Sequence, residues 1–77
     1  MKELLELIAK RLVDQPDAVI VIETETEKGS TLELRVAADD MGKVIGKQGK
    51  IAKAIRTVIR AAAIHNDVHV VVDIAQN

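Results

Sequence analysis

The sequence predicts a two-layer α+β domain with helices packed on one face of a three-stranded mixed sheet. Three observations lead there. Apolar residues recur at helical spacing in Lys2–Val13 and Lys50–Ile64. β-branched runs occur near residues 18–27, 31–37 and 68–74. Two glycines, Gly46 and Gly49, form a turn between two segments of helical apolar spacing.

Lys2 to Val13 reads as an amphipathic helix, with Leu4, Leu5, Ile8 and Leu12 on one face and Glu3, Glu6 and Lys10 largely opposite. Asp14-Gln15-Pro16-Asp17 ends it, because proline and the residue before it resist helical geometry. Ala18 to Glu27 is expected to be a strand. Its first half, Val19-Ile20-Val21-Ile22, is apolar on both faces, and its second half alternates Glu and Thr. Lys28-Gly29-Ser30 is the expected hairpin turn, with Gly29 free to take positive φ. Thr31 to Ala37 follows as a strand, with Leu32, Leu34 and Val36 inward and Glu33 and Arg35 outward.

Asp39 or Asp40 is expected to cap a short helix that runs to about Ile45. After the glycine turn, Lys50 to about Ile64 is the strongest helix. Ile51, Ile55, Val58 and Ala62 cluster on one side, with Lys53, Arg56 and Arg60 nearly opposite. Asn66-Asp67 closes that segment, and Val68 to Ile74 is the final strand. The order α-β-β-α-α-β accounts for residues 1–77 as one domain, with no repeat, linker or low-complexity tract.

Composition excludes several classes. The chain has 77 residues, so its core is small. It has no cysteine, so neither a disulfide nor a thiolate metal site contributes. Its N-terminus is too acidic and interrupted for a secretory signal, and no uncharged apolar run nears the roughly 20 residues of a membrane span. A cytoplasmic location is the expectation. Phe, Tyr and Trp are absent, which removes modes of nucleic-acid binding that stack bases on aromatic rings.

Charge is sharply divided. From Met41 through Asn66 the charged residues are Lys43, Lys47, Lys50, Lys53, Arg56 and Arg60, all cationic, so this segment carries +6. The whole chain is -1, leaving -7 on the rest. A basic region beside exposed backbone N–H groups suits a polyanion. At Gly46-Lys47-Gln48-Gly49 two helices meet, and the second helix begins with unpaired N–H donors and the positive end of its dipole. Glycine permits close approach and positive φ. The plainer alternative is a structural corner with solvated lysines. A Walker A loop does not fit, because three residues rather than four separate Gly42 from Gly46 and Lys47 is followed by Gln48; nor does Gly42, Gly46, Gly49 match the dinucleotide spacing.

The stretch Val44-Ile45-Gly46-Lys47-Gln48-Gly49-Lys50-Ile51 resembles the V-I-G-x-x-G motif of KH domains, and the element order resembles their bacterial type II topology. The chain as a whole, including Leu12-Val13-Asp14-Gln15-Pro16-Asp17, is similar to the small bacterial single-KH-domain proteins of the KhpA family. The resemblance implies a non-enzymatic, single-stranded RNA-binding protein, an RNA chaperone or post-transcriptional regulator linked to cell shape and envelope growth. It assigns the backbone clamp to Gly46, Lys47, Gln48 and Gly49, supported by Lys43, Lys50 and Lys53. Ile45, Ile51 and strand residues near Val36 are candidates for an aliphatic base groove. The expected partners are single-stranded RNA and either a second copy or the larger KH-containing protein KhpB. The rival reading is a protein-interaction module whose clamp is idle. An enzyme subunit without its own active site is a third.

Other residues read more simply. Arg56 and Arg60 extend the basic strip as a solvated helix face. Arg35 is expected to form a cross-strand ion pair. His65 and His69 straddle a helix end and a strand start, with no cysteine or clustered carboxylate to complete a metal site. Glu23, Glu25 and Glu27 read as an exposed strand face, the alternative being that they repel RNA from that side. The second apolar face of residues 19–22 and 70–72 invites another subunit.

Overall fold

The computed structural model describes residues 1–77. Its main elements are α1 (Lys2–Leu12), β1 (Ile20–Thr26), β2 (Gly29–Val36), α2 (Met41–Ile45), α3 (Lys50–His65) and β3 (Val70–Gln76). Single 3-10 turns lie at Pro16–Ala18, Ala38–Asp40 and Lys47–Gly49. The predicted order and the mixed sheet are both present. β2 is central, antiparallel to β1 and parallel to β3, with Ser30 opposite Val70 and Val36 opposite Gln76.

The hairpin turns one step earlier than expected. Thr26 pairs with Gly29, so Glu27 and Lys28 form the turn. Thr26 Oγ1 accepts the Lys28 N–H and donates to the Gly29 carbonyl. Gly29 has φ of 137°, and a Cβ there would run into the His69 carbonyl. That same carbonyl accepts the Ser30 N–H at 2.8 Å. Gly29 therefore lets the start of β2 approach the backbone just before β3.

The inner sheet face carries Val21, Leu32, Leu34, Val36, Val70 and Val72, covered by Leu5 and Ala9 of α1, Val44 of α2 and Ile55, Ile59 and Ala63 of α3. Leu32, Leu34 and Val36 are fully buried, which makes β2 the main apolar anchor at about 1.5–3 kcal/mol per large side chain. Val36 is thus core, and it cannot form a wall of an open groove. β3 is the edge strand beside α3.

The buried stripe of α3 is Ala52, Ile55, Ile59 and Ala63, not the predicted Ile51, Ile55, Val58 and Ala62. Small residues at Ala52 and Ala63 let the helix sit close to the sheet, which rotates its larger Ile51 and Val58 toward α1. α1 is turned similarly. Leu5 and Ala9 point into the core, whereas Leu4, Ile8 and Leu12 line a cleft of about 490 Å³ with Ile51, Ala54 and Val58.

On the outer sheet face Ile20, Ile22 and Val71 are exposed, as the apolar runs suggested. Between these edges runs the central strand's Glu33–Arg35 pair, Nε to Oε1 2.6 Å. The partner of Arg35 is therefore two residues away on its own strand, not across the sheet. No helix is long and apolar enough to cross a membrane.

Candidate nucleic-acid interface

The candidate interface begins at α2, a helix too short to hold itself in place. Asp40 precedes it and is only 1% exposed. Its side chain makes no hydrogen bond to the helix it was expected to cap. Instead it reaches across to the end of α1, where Oδ1 accepts the Asp14 N–H at 3.2 Å and Oδ2 the Gln15 N–H at 3.0 Å. Two free backbone donors before Pro16 attract the carboxylate more strongly than the first turn of a five-residue helix. Lys43 completes the arrangement, with Nζ 2.6 Å from Asp14 Oδ2 and 3.6 Å from Asp40 Oδ1.

Burial pushes the Asp40 carboxyl upward, but the two N–H donors and Lys43 outweigh it, so the pKa lies below the ordinary 3.8. The Asp14 hydrogen bond, against some desolvation, raises Lys43 above 10.5. Asp40 therefore stabilises the fold fully above about pH 3.8, and that contribution drains away as pH falls through its lower folded value. Lys43 contributes below pH 10.5 and loses its contribution as pH rises beyond it. Asp40→Asn is expected to lower the melting temperature at neutral pH. The difference from the parent should narrow below about pH 3.8, and a gap unchanged down to pH 2 would refute the linkage.

α2 ends at Gly46, whose φ of 74° and ψ of 176° belong to a region that only glycine occupies readily. Its N–H closes the helix on the Gly42 carbonyl at 2.9 Å. A Cβ at Gly46 would lie 2.6 Å from Ile51 Cγ1, so Ile51 supports the turn from within the fold. Gln48 (φ 56°, ψ 26°) and Gly49 (φ 74°, ψ 15°) are both left-handed, and a Cβ on Gly49 would meet open space. Gly49 N–H returns to the Gly46 carbonyl at 3.2 Å. The N–H groups of Lys47 and Gln48 meet no acceptor in the protein. They sit beside the start of α3, a 16-residue helix with its dipole's positive end at the turn.

The structure places Lys47, Gln48, Lys50 and Lys53 on the surface at or just after this turn. Lys43 lies before it with its charge already met by Asp14 and Asp40. Ile45 and Ile51 are half-buried against the core, and Ile51 also lines the α1–α3 cleft. Lys53, Arg56 and Arg60 fall within about 60° of one another on the helix. That flank faces β3: Arg56 Nε donates to the Val72 carbonyl at 3.2 Å, and Arg60 lines a pocket with Val70. α3 thus divides an apolar flank toward α1 from a cationic one toward β3. Sequence reasoning missed the roles of Asp14 and Asp40, since an aspartate before a helix reads as a cap whatever its distant partners are.

A glycine-bounded turn between two helices, set on a mixed sheet in the order α-β-β-α-α-β, defines a KH domain of the type II topology. The chain belongs to the KhpA/KhpB KH-domain family, whose model matches residues 2–74. It is 65% identical to the RNA-binding protein KhpA of Clostridium acetobutylicum over 74 residues, covering 96% of this chain and 99% of that one. Identity to the RNA-binding protein KhpA of Clostridium perfringens is 62% over the same span. The Aquifex aeolicus RNA-binding protein KhpA is 54% identical over 61 residues, 79% of this chain and 77% of that one. These are binding proteins, and the family is not a catalytic one. No solved structure matches the chain significantly.

Proposed function

We propose that this chain binds single-stranded RNA by clamping its sugar-phosphate backbone at Gly46–Gly49. One observation carries the reading: two backbone donors without acceptors, at Lys47 and Gln48, sit on an exposed turn at a helix start within an acid-free +6 segment. Relatives that match nearly end to end bear the name RNA-binding protein. Lys47, Lys50 and Lys53 neutralise phosphates. Lys43 joins them by exchanging its carboxylate partners for RNA. With no Phe, Tyr or Trp to stack on, bases are read weakly, by aliphatic surface near Ile45 and Ile51.

A salt titration with an unstructured RNA oligonucleotide tests the clamp. About three phosphate contacts give a log–log slope of about -2 on single strands. A flat dependence, or equal affinity for a duplex of the same length, would count against it.

In the cytoplasm such a clamp serves RNA chaperoning or post-transcriptional control, which family resemblance ties to cell shape and envelope growth. A single domain of this kind binds weakly, so pairing with a second copy or with KhpB adds affinity by avidity. The apolar α1–α3 cleft, with Leu12 and Val58 exposed at its rim, is the better surface for pairing, because Glu33, Arg35 and Asp73 interrupt the outer sheet face. Sedimentation is expected to show association in the micromolar range; a monomer at high micromolar concentration would argue against pairing with itself.

A further inference from the structure

Lys43 differs from Lys47, Lys50 and Lys53 in one respect: its ammonium group is already engaged by two carboxylates. Those two carboxylates are not equivalent. Asp40 is buried, and its oxygens accept the Asp14 and Gln15 N–H groups, so it is committed to the fold. The Asp14 carboxylate is 76% exposed, lies 2.6 Å from Lys43 Nζ and bonds to nothing else in the protein.

The position of Asp14 is nonetheless fixed. The Val13 N–H closes α1 on the Ala9 carbonyl at 3.2 Å, and the next two N–H groups are the ones that Asp40 accepts. Pro16 then opens a 3-10 turn, in which the Ala18 N–H donates to the Gln15 carbonyl at 3.0 Å and the Val19 N–H to the Pro16 carbonyl at 3.1 Å. The backbone is held on both sides of Asp14, so its short side chain stands beside Lys43 at little entropic cost. An ion pair this exposed adds little to folding stability, because water serves both groups almost as well.

We propose that Asp14 is an internal competitor of RNA: in the free protein it occupies the place at Lys43 that a backbone phosphate takes in the complex. The proposal rests on the RNA-clamp reading and adds to it a residue that weakens binding. Asp40 cannot leave Lys43 without releasing two backbone N–H groups, whereas Asp14 leaves by turning its side chain into solvent. A phosphate oxygen bonded to Lys43 while Asp14 stayed would set two anions within about 4 Å of each other. If the carboxylate swings away, its charge-assisted bond to Lys43 is lost. Either way RNA binds less tightly than four free lysines would allow.

The deciding experiment measures the full chain's affinity for one unstructured RNA oligonucleotide at about 0.15 M salt, where screening beyond about 8 Å suppresses the distant effect of a single carboxylate. Asp14→Asn keeps the backbone N–H and should bind about fivefold more tightly. Its log–log salt slope should steepen by about 0.7, one further phosphate contact, because no freed carboxylate recaptures a cation. Two more variants separate competition at Lys43 from charge alone. Asp39→Asn removes an exposed carboxylate that makes no ion pair, and should change affinity little. In a Lys43→Met background, where Asp40 keeps both N–H donors, Asp14→Asn should gain less than about twofold. Thermal melts establish that each variant is folded at the assay temperature. Equal affinity of parent and Asp14→Asn, or an equal gain from Asp39→Asn or in the Lys43→Met background, overturns the competitor and leaves the clamp standing. Weaker binding by Asp14→Asn also overturns it and marks Asp14 as a support of the turn. If neither the parent nor Asp14→Asn binds RNA, the clamp falls and the competitor with it.

Discussion

With Lys47 and Gln48 both changed to aspartate, RNA affinity is expected to fall by about a hundredfold or more at low salt, while the fold and any self-association remain. The variant removes one cation and places two carboxylates beside the only exposed backbone donors of the turn. Like charges within about 4 Å cost roughly 1–4 kcal/mol each between surface and bulk-water dielectric, enough for that loss. Folding should be spared for three reasons. Both side chains are exposed, and neither forms a hydrogen bond in the protein. Aspartate also tolerates the left-handed conformation that Gln48 adopts. Oligonucleotide titration with a parallel thermal melt decides the matter: RNA binding equal to the parent's would leave the turn idle and favour the protein-interaction reading.

Gly46→Ala should be the most damaging single change in the turn, and its first effect is on stability. The backbone conformation at Gly46 costs about 1–3 kcal/mol for any other residue, and the new methyl would meet Ile51 at 2.6 Å. Overpacking of that kind adds about 1–3 kcal/mol. A total near 3 kcal/mol lowers the melting temperature of so small a domain by on the order of 15 °C. Gly49→Ala meets no neighbour and carries only the left-handed penalty, about 1–2 kcal/mol. Adding Ile51→Ala to Gly46→Ala relieves the contact and not the backbone term. Equal melting temperatures for the two single variants would show that Ile51 does not set the identity of residue 46.

The elements themselves were legible because each depends on local signals. The spacing of apolar residues gave α1 and α3, the alternation of Leu32, Leu34 and Val36 gave β2, and the pair Gly46 and Gly49 placed the turn. Errors arose where size or distance decides. A hydropathy pattern favours Ile51 and Val58 as core, yet Ala52 and Ala63 take the inward positions because small residues bring helix and sheet together. Val36 lies in the central strand, a fact that only the pairing of β2 with β3 establishes. Asp40 looked like a cap, and its true partners stand 25 and 26 residues earlier. The same contact ties down Lys43, whose charge in the sequence looked as free as that of Lys47.

Because β3 docks parallel to β2, ribosomal synthesis leaves this sheet unfinished until residues 70–76 have been made. Until then the nascent hairpin has a bare hydrogen-bonding edge, open to intruding strands. Both helices that flank Gly46–Gly49 lie inside that crossover, so a translation arrest before residue 70 yields a turn without its scaffold. Quality control therefore meets an unfinished sheet with an open edge, never a shorter closed domain.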